Sequence, residues 1–401
     1  IEDRWIGFEL SQILQKVFKN RNLSAGRAQT PTLGWIIQRF KEHLEKRDIT
    51  LIEGDGISLR VEGKIGTPGE AKAIVEVLAE EEVNLPPPPP FATNEMLREA
   101  NRVLKLGASE IMDLAQNLFE TGLITYHRTD SHRVSDAGLR VARVFLGDRF
   151  RPRTWEEGGA HECIRPTKPM TVEDLVRYVR EGVLKPQVKL TRNHMRLYDL
   201  IFRRFMASMS EVAKLMRQRV RISIEGTSFE LERYVRIAEP GWTRIYPYGV
   251  RVEQPLRSGE VLVRIEHRKV PKVPLYTQGD VIATMRERGI GRPSTYAVIL
   301  QKLLMRRYVI ERRGKLIPTK LGMTVYEYLT KNYPNLISEE RTRALERKMS
   351  LVEEGEADYQ RIIGEVYQEI RSSINSVHGP HFGAAIASSN EVSNPSTTKQ
   401  A

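Results

Sequence analysis

Residues 85–91 read LPPPPPF, and the five consecutive prolines leave that stretch few ways to run. Proline holds φ at about −65° and has no backbone N–H. The segment is therefore excluded from a helix interior or a central strand and is expected as an extended polyproline connection. A proline run can dock a partner, but inside a chain of 401 residues it is read first as a hinge or domain boundary, placed near residue 87. That length predicts two to four domains.

The pattern on either side changes period several times. Residues 1–47 read as two amphipathic helices, Phe8 to Phe18 and Thr32 to Leu44, joined by NRNLSAGRAQTPT. Alternation over ITLIEGDGISLRVEGKI predicts a hairpin with Gly-containing turns, and residues 68–83 are read as a return to helix. Residues 94–205 read as mainly helical, and RVRISIEG, SFELERYVRI and EVLVRIEH then alternate as strands up to about Val270. From 277 to 373 the pattern is helical again, with YVIERRGKLIP like the wing of a winged helix. No internal repeat is evident. An outer pair of segments enclosing an inner pair predicts nested domains: 1–48 with 273–375, 49–86 with 206–272, and 87–205 between them. Residues 376–401, rich in Gly, Ser and Asn, are expected to be disordered.

Lys and Arg number 63 against 51 Asp and Glu, and the formal charge of +12 favours polyanionic partners. The competing reading is a solvated charged face on a heat-adapted protein. No apolar run of about 20 residues occurs, so no membrane partner is expected. No signal segment is read at the start, so the expected location is cytoplasmic. A single cysteine, Cys163, excludes internal disulfides and Cys-based zinc sites. The chain opens on Ile1 within a patterned segment, from which a fragment or processed chain is expected.

Four stretches put small residues, arginine and nucleophilic or cap-forming groups together. In GLITYHRTDSHRVSD, residues 122–136, Leu123 to Thr125 favour an extended chain after the helical pattern of 94–118. Tyr126 and Arg128 then fall at a junction of the kind that carries sites, although a buried tyrosine beside a solvated arginine is the blander reading. In SAGRAQT, Ser24 begins a run that lets backbone approach a ligand, Arg27 and Gln29 supply donors, and Thr30 before Pro31 fits a helix N-cap. In GIGRPSTYA, Ser294 or Thr295 is expected to cap a helix from Tyr296 to Leu304, with Arg292 just before its positive end. In GGAHECIRPT, His161 and Arg165 stand four apart behind two glycines.

Together these motifs carry a resemblance. SAGRAQTPTLGWII, PPPPPFATNEMLREANRVLKLGASEIMDLAQNLFETGLITYHRTDS, GAHECIRPT, YTQGDVIATMRERGIGRPSTYAVILQKLL and RTRALERKMSLVEEGEADY occur in the order seen in type IA DNA topoisomerases. The YHRTDS, ECIRPT and YTQGDVI forms look most like the topoisomerase half of reverse gyrase, and the match runs from about residue 1 to 373. The resemblance implies a multidomain α+β fold with toroidal gate architecture, mainly helical domains and a β-rich hinge. It implies that Tyr126 attacks a phosphodiester of single-stranded DNA and forms a transient 5′-phosphotyrosine that the freed 3′-hydroxyl later displaces. A tyrosine hydroxyl ordinarily titrates near pH ~10, so this chemistry needs nearby positive charge or a base, and Arg128 can supply the charge. His161 matches the family's phosphate-proximal histidine. Arg27, Gln29, Arg292 and Thr295 resemble its DNA contacts, with Ser24, Arg165 and Ser294 grouped beside them. Asp130 and Ser131 are supporting residues.

The family also implies a magnesium-binding Toprim domain and, in reverse gyrase, an ATP-binding helicase-like module. Neither a DxDxE-type cluster nor GxxxxGK[ST] occurs in these residues, and EEEV and VEEGEAD read as solvated helix faces. The expectation is therefore the DNA-gate part of a larger enzyme, unable to relax DNA alone and completed by a Toprim-containing and helicase-like segment or subunit. No metal ligand is expected in this chain; its DNA partners are single strands and unwound duplex on the nucleoid. Residues 87–205 would swing on a hinge built from 49–86 and 206–272. The competing readings are an ATP-independent relaxing topoisomerase, a non-catalytic single-strand clamp in which Tyr126 stacks on a base, and, last, a recombinase-like tyrosine nuclease.

Overall fold

The computed structural model describes residues 2–158, 161–353 and 355–378. In chain order the elements are α1 Glu2–Val17, α2 Gln29–Leu44, β1 Lys46–Gly54, β2 Ile57–Glu62, β3 Gly69–Leu85, α3 Thr93–Leu104, α4 Ala108–Glu120, α5 Asp136–Leu146, α6 Val172–Arg180 and α7 Arg192–Ser208. There follow β4 Ala213–Ile224, β5 Thr227–Glu239, β6 Gly259–Pro271, α8 Gln278–Glu287, α9 Tyr296–Met305, β7 Val309–Arg312, β8 Lys315–Pro318, α10 Lys320–Asn332, α11 Pro334–Ile337, α12 Glu339–Glu353 and α13 Tyr359–His378. Contacts divide the chain into two compact units: one joins Ile1–Phe40 to the chain from Leu275 onward, and the other is Lys41–Pro274.

The second unit contains an antiparallel six-stranded sheet in the order β2-β1-β6-β3-β4-β5. The expected hairpin over 49–65 forms as β1 and β2, turning through Asp55 and Gly56 at φ 44° and 81°. Two consecutive left-handed residues match the twist of paired strands, and glycine takes this conformation without steric cost. One face of the sheet packs Ile52, Ile57, Val75, Val220, Ile222, Val263 and Ile265 into a core.

The helix read over 68–83 is β3, a strand of 17 residues. Ala, Glu and Leu give GEAKAIVEVLAEEEV its helical propensity, but β3 lies between β6 and β4 and is paired on both sides. Ala73 and Val75 point into the core while Lys72, Ile74 and Glu76 face out, a period of two that tertiary pairing selects over local preference. The EEEV carboxylates accordingly lie on a strand, where Glu81 pairs with Arg217, and Arg217 also reaches Glu232 at 3.0 Å.

The prolines lead from β3 into the helices of the same unit. Pro87 and Pro90 are buried, Arg204 Nε donates to the Pro89 carbonyl at 2.7 Å, and the Arg204 guanidinium lies over the Phe91 ring. Beyond them α3, α4 and α7 bury Met96, Leu97, Ile111, Leu118, Leu197, Ile201 and Phe205. The mixed α+β fold is as the sequence predicts.

In the first unit, the expected wing is the β7–β8 hairpin, turning through Arg313 and Gly314 at φ 51° and 71°. α8 starts on a reciprocal cap, in which Thr277 Oγ1 accepts from Asp280 N at 3.1 Å and Asp280 Oδ2 accepts from Thr277 N at 2.9 Å. α13 runs to His378, so the tail read as disordered begins inside a helix, and its residues 379–401 lie outside the described residues.

Candidate functional site

The segment that carries Tyr126 leaves α4 through Gly122 at φ 72°, after which Leu123 and Ile124 are buried. The 163–167 strip holds one side of it. Thr125 N donates to the Arg165 carbonyl at 2.9 Å, Thr125 Oγ1 donates to the Cys163 carbonyl at 2.7 Å, and Arg165 N donates to Thr125 Oγ1 at 3.0 Å. Thr93, at the start of α3, holds the other side: its hydroxyl donates to the carbonyls of His127 at 2.7 Å and Thr129 at 2.9 Å and accepts from Thr129 N at 2.9 Å. Between these two anchors Tyr126 is 43% exposed, its ring edge-on to Phe119 at 5.3 Å between centroids.

His127 is fully buried beside it, and Arg128 Nε points at its Nε2 from 3.4 Å. Burial first, and then the charge of Arg128, push its pKa from 6.5 down to about 4, so the imidazole is neutral near pH 7. Its Nδ1 is buried with no hydrogen-bond partner among the described residues.

The other predicted residues of this region fall close by, in different roles. Ser131 Oγ donates to Glu156 at 2.9 Å, and the same carboxylate oxygen accepts from His132 N at 2.6 Å, so Ser131 pins the turn. Asp130 is exposed. His161 is exposed, its carbonyl accepting from Arg133 Nε at 3.1 Å, on the loop that continues into the Cys163–Thr125 pairing. Arg165, grouped by sequence with the DNA-binding residues, is instead an internal strut. It is buried, and its guanidinium donates to Glu162 at 2.9 and 3.0 Å, to Ser135 Oγ and to the Pro166 carbonyl. Burial works to raise the Glu162 carboxyl, but hydrogen bonds from Arg165 and Ser135 hold it below the usual carboxylate range.

The remaining predicted residues meet in the first unit, around a cavity of about 520 Å³. Ser24, Arg27, Gln29, Arg292, Ser294 and Thr295 all line it. The SAGRA loop is held there by the Tyr308 hydroxyl, which accepts from Ser24 N and donates to the Ser24 carbonyl, both at 2.9 Å. α2 begins at Gln29 rather than after Thr30, with Thr30 N already donating to the Gly26 carbonyl in its first turn. Thr295 is the residue before α9, yet its hydroxyl does not cap the helix: it accepts from Arg292 N at 2.8 Å and so shapes the GIGRP turn. Ser294 is exposed on the rim.

Sequence reasoning missed Phe8, Lys302, Arg306, Glu346 and Met349 in this cavity wall. Glu346 accepts from Arg27 at 3.2 Å and from Arg292 at 3.0 Å. Thr93 and Glu156 were missed beside Tyr126; Thr93, Lys302, Glu346 and Met349 lie inside the quoted motifs, while Phe8, Glu156 and Arg306 lie outside them and carried no such signal.

An exposed, anchored tyrosine beside an arginine, and a cavity walled by arginines, suit attack on and binding of phosphodiesters. The chain belongs to the DNA topoisomerase family: the family model of that description matches residues 1–50 and 59–364. Its class is type IA, as the sequence motifs predict. It is 48% identical over 388 residues to a reverse gyrase of Pyrococcus furiosus, covering 94% of this chain and 32% of that protein. It is 46% identical over 389 residues to reverse gyrase 1 of Aquifex aeolicus, covering 92% and 33%. The full-length topoisomerase I of Thermotoga maritima superposes with a TM-score of 0.75 at 30% identity, covering 94% of this chain and 67% of that one. The chain thus spans about a third of the length of the reverse gyrases it matches.

Proposed function

We propose that the chain is the DNA-gate part of a type IA topoisomerase, cutting one DNA strand through Tyr126, letting another strand pass and resealing the cut. The observation that carries this reading is the anchoring of Tyr126: backbone and hydroxyl hydrogen bonds hold residues 125 and 127–129 on both sides while the ring between them stays exposed. Its phenolic oxygen bonds to phosphorus as the bond from phosphorus to the 3′ oxygen breaks. The products are a 5′-phosphotyrosine and, once that oxygen takes a proton, a 3′-hydroxyl. Reversal reseals the strand.

The Arg128 guanidinium offsets the negative charge that gathers on the phosphate. His127, with its pKa lowered to about 4, is too weak a base to take the tyrosine proton. Its part is to pack beside Tyr126 and to face Arg128. His161, on the neighbouring loop, is the residue offered to the phosphate. The unit-1 cavity holds the single strand through Arg27, Gln29, Ser24, Arg292, Ser294 and Thr295. Among the described residues no group of three or more His, Cys, Asp or Glu is placed to hold a metal. Magnesium, as the family resemblance implies, would be held by the carboxylates of a Toprim domain and would assist cleavage and resealing there.

The finer reading is that this gate works inside an ATP-dependent reverse gyrase, on cytoplasmic, nucleoid DNA, with Toprim-containing and helicase-like segments completing it. Its support is the 48% and 46% identity to reverse gyrases. The test mixes the chain with 3′-end-labelled single-stranded DNA, with and without a Toprim-containing partner and magnesium, followed by denaturation. Label bound covalently to protein, and increased by the partner, is the expected result. Tight binding with no adduct under any condition would move the assignment to a DNA clamp.

A further inference from the structure

We infer that Glu346 is a positioning residue that locks Arg27 and Arg292 into one phosphate-binding fork and cancels one of their two charges. The inference rests on the DNA-gate reading and adds the residue that sets how tightly the gate cavity holds its strand.

Arg27 lies on the loop before α2, Arg292 on the turn before α9 and Glu346 within α12, three segments that meet only in the fold of the first unit. Glu346 Oε1 accepts from Arg27 Nη2 at 3.2 Å and its Oε2 accepts from Arg292 Nε at 3.0 Å, so one carboxylate bridges two guanidiniums. Arg27 is also fixed by the Thr342 carbonyl at 3.4 Å, and Arg292 by Ser350 Oγ at 3.3 Å, both from α12. The side chains grade from the wall outward, with Arg27 3% exposed, Glu346 15% and Arg292 31%. All three line the same cavity of about 520 Å³.

A carboxylate shared by two arginines occupies the electrostatic place that a phosphate oxygen pair would take, because guanidinium forks recognise both groups alike. Holding the arginines in advance reduces the ordering cost when a strand arrives. Cancelling one charge moderates the grip, and a gate must release its strand as well as hold it. Replacing the carboxylate by an amide removes the cancellation while keeping nearly the same volume.

The experiment measures binding of a single-stranded oligonucleotide by the chain over a series of salt concentrations, for wild type, Glu346→Gln, Arg292→Gln and the double variant. Each added phosphate-facing charge steepens the slope of log K against log salt by about 0.7 for single strands, equivalent to about fivefold in affinity at 0.1 M relative to 1 M salt. Glu346→Gln is expected to be steeper than wild type by that amount and Arg292→Gln shallower. The double variant should return to the wild-type slope. Should Glu346→Gln alone fail to fold, the double variant carries the test, since a slope as shallow as that of Arg292→Gln means the Glu346 charge has no part in binding. Binding by wild type with an unchanged slope in Glu346→Gln overturns this inference alone. Absence of salt-dependent binding by the wild type overturns the gate reading and the inference with it.

Discussion

The hydroxyl of Thr93 donates to the carbonyl of His127 at 2.7 Å, tying the first turn of α3 to the residue that follows Tyr126. The same hydroxyl serves both the carbonyl and the N–H of Thr129, so one buried oxygen fixes the backbone just past Tyr126. Thr93→Val keeps the shape and removes the hydroxyl's bonds to the His127 carbonyl and the Thr129 N–H, while the Thr129 carbonyl still accepts from Thr93 N at 2.8 Å; the cost is about 1–3 kcal/mol. The expected outcome is a larger fall in covalent adduct formation than in oligonucleotide binding. Equal losses in both would make Thr93 a general stability residue.

Tyr126→Phe separates chemistry from binding. Phenylalanine preserves the edge-on contact with Phe119 at 5.3 Å, and the ring is 43% exposed, so folding is expected to be unchanged. Adduct formation should vanish while the oligonucleotide dissociation constant stays within about twofold. An adduct that persists in this variant would remove Tyr126 as the nucleophile.

His127 makes the fold acid-sensitive. Its folded pKa of about 4 lies below the ordinary 6.5, so the unfolded chain binds its proton first as pH falls. Stability from neutral burial is therefore complete above pH ~6.5 and is lost progressively toward pH ~4, by a total on the order of 3 kcal/mol. His127→Gln carries no titrating group and should show a flatter acid limb in urea unfolding. Parallel acid limbs for the two proteins would assign the sensitivity elsewhere.

Parts of this molecule were legible because a local rule settled them. The hairpin over 49–65 and the wing in YVIERRGKLIP were legible from alternation broken by glycine, and each turns through two left-handed residues, Asp55-Gly56 and Arg313-Gly314. The junction at Tyr126 was legible in the extended run Leu123 to Thr125 after a helical pattern, and the hydrogen bonds of Thr125 and Thr93 hold it in place. β3 was not legible, because pairing with β4 and β6 overrode a helical composition. Arg165 looked like a ligand donor until Glu162, Ser135 and Pro166 took up its guanidinium. Glu346 was invisible for a related reason: its partners Arg27 and Arg292 lie 319 and 54 residues away, and a glutamate on a charged helix reads as solvated.

Gly322 couples the segment before the wing to the cavity of the first unit. A Cβ placed there would come within 2.2 Å of the Tyr308 carbonyl oxygen, and because that oxygen belongs to backbone the contact has no flexible group to yield. Tyr308 in turn holds Ser24 through two hydrogen bonds of 2.9 Å, so a displaced Tyr308 would disturb the SAGRA loop. Gly322→Ala is expected to destabilise the protein by about 1–3 kcal/mol and to weaken oligonucleotide binding together with it. Gly364 in α13 is the matching control, since its Cβ would meet nothing within 4 Å. Gly364→Ala should be stabilising by about 0.5–1 kcal/mol through helix propensity alone. Thermal melts of the two variants decide the matter: opposite shifts support the clash with Tyr308, and shifts of the same sign would mean that helical glycine content, not this contact, governs the response.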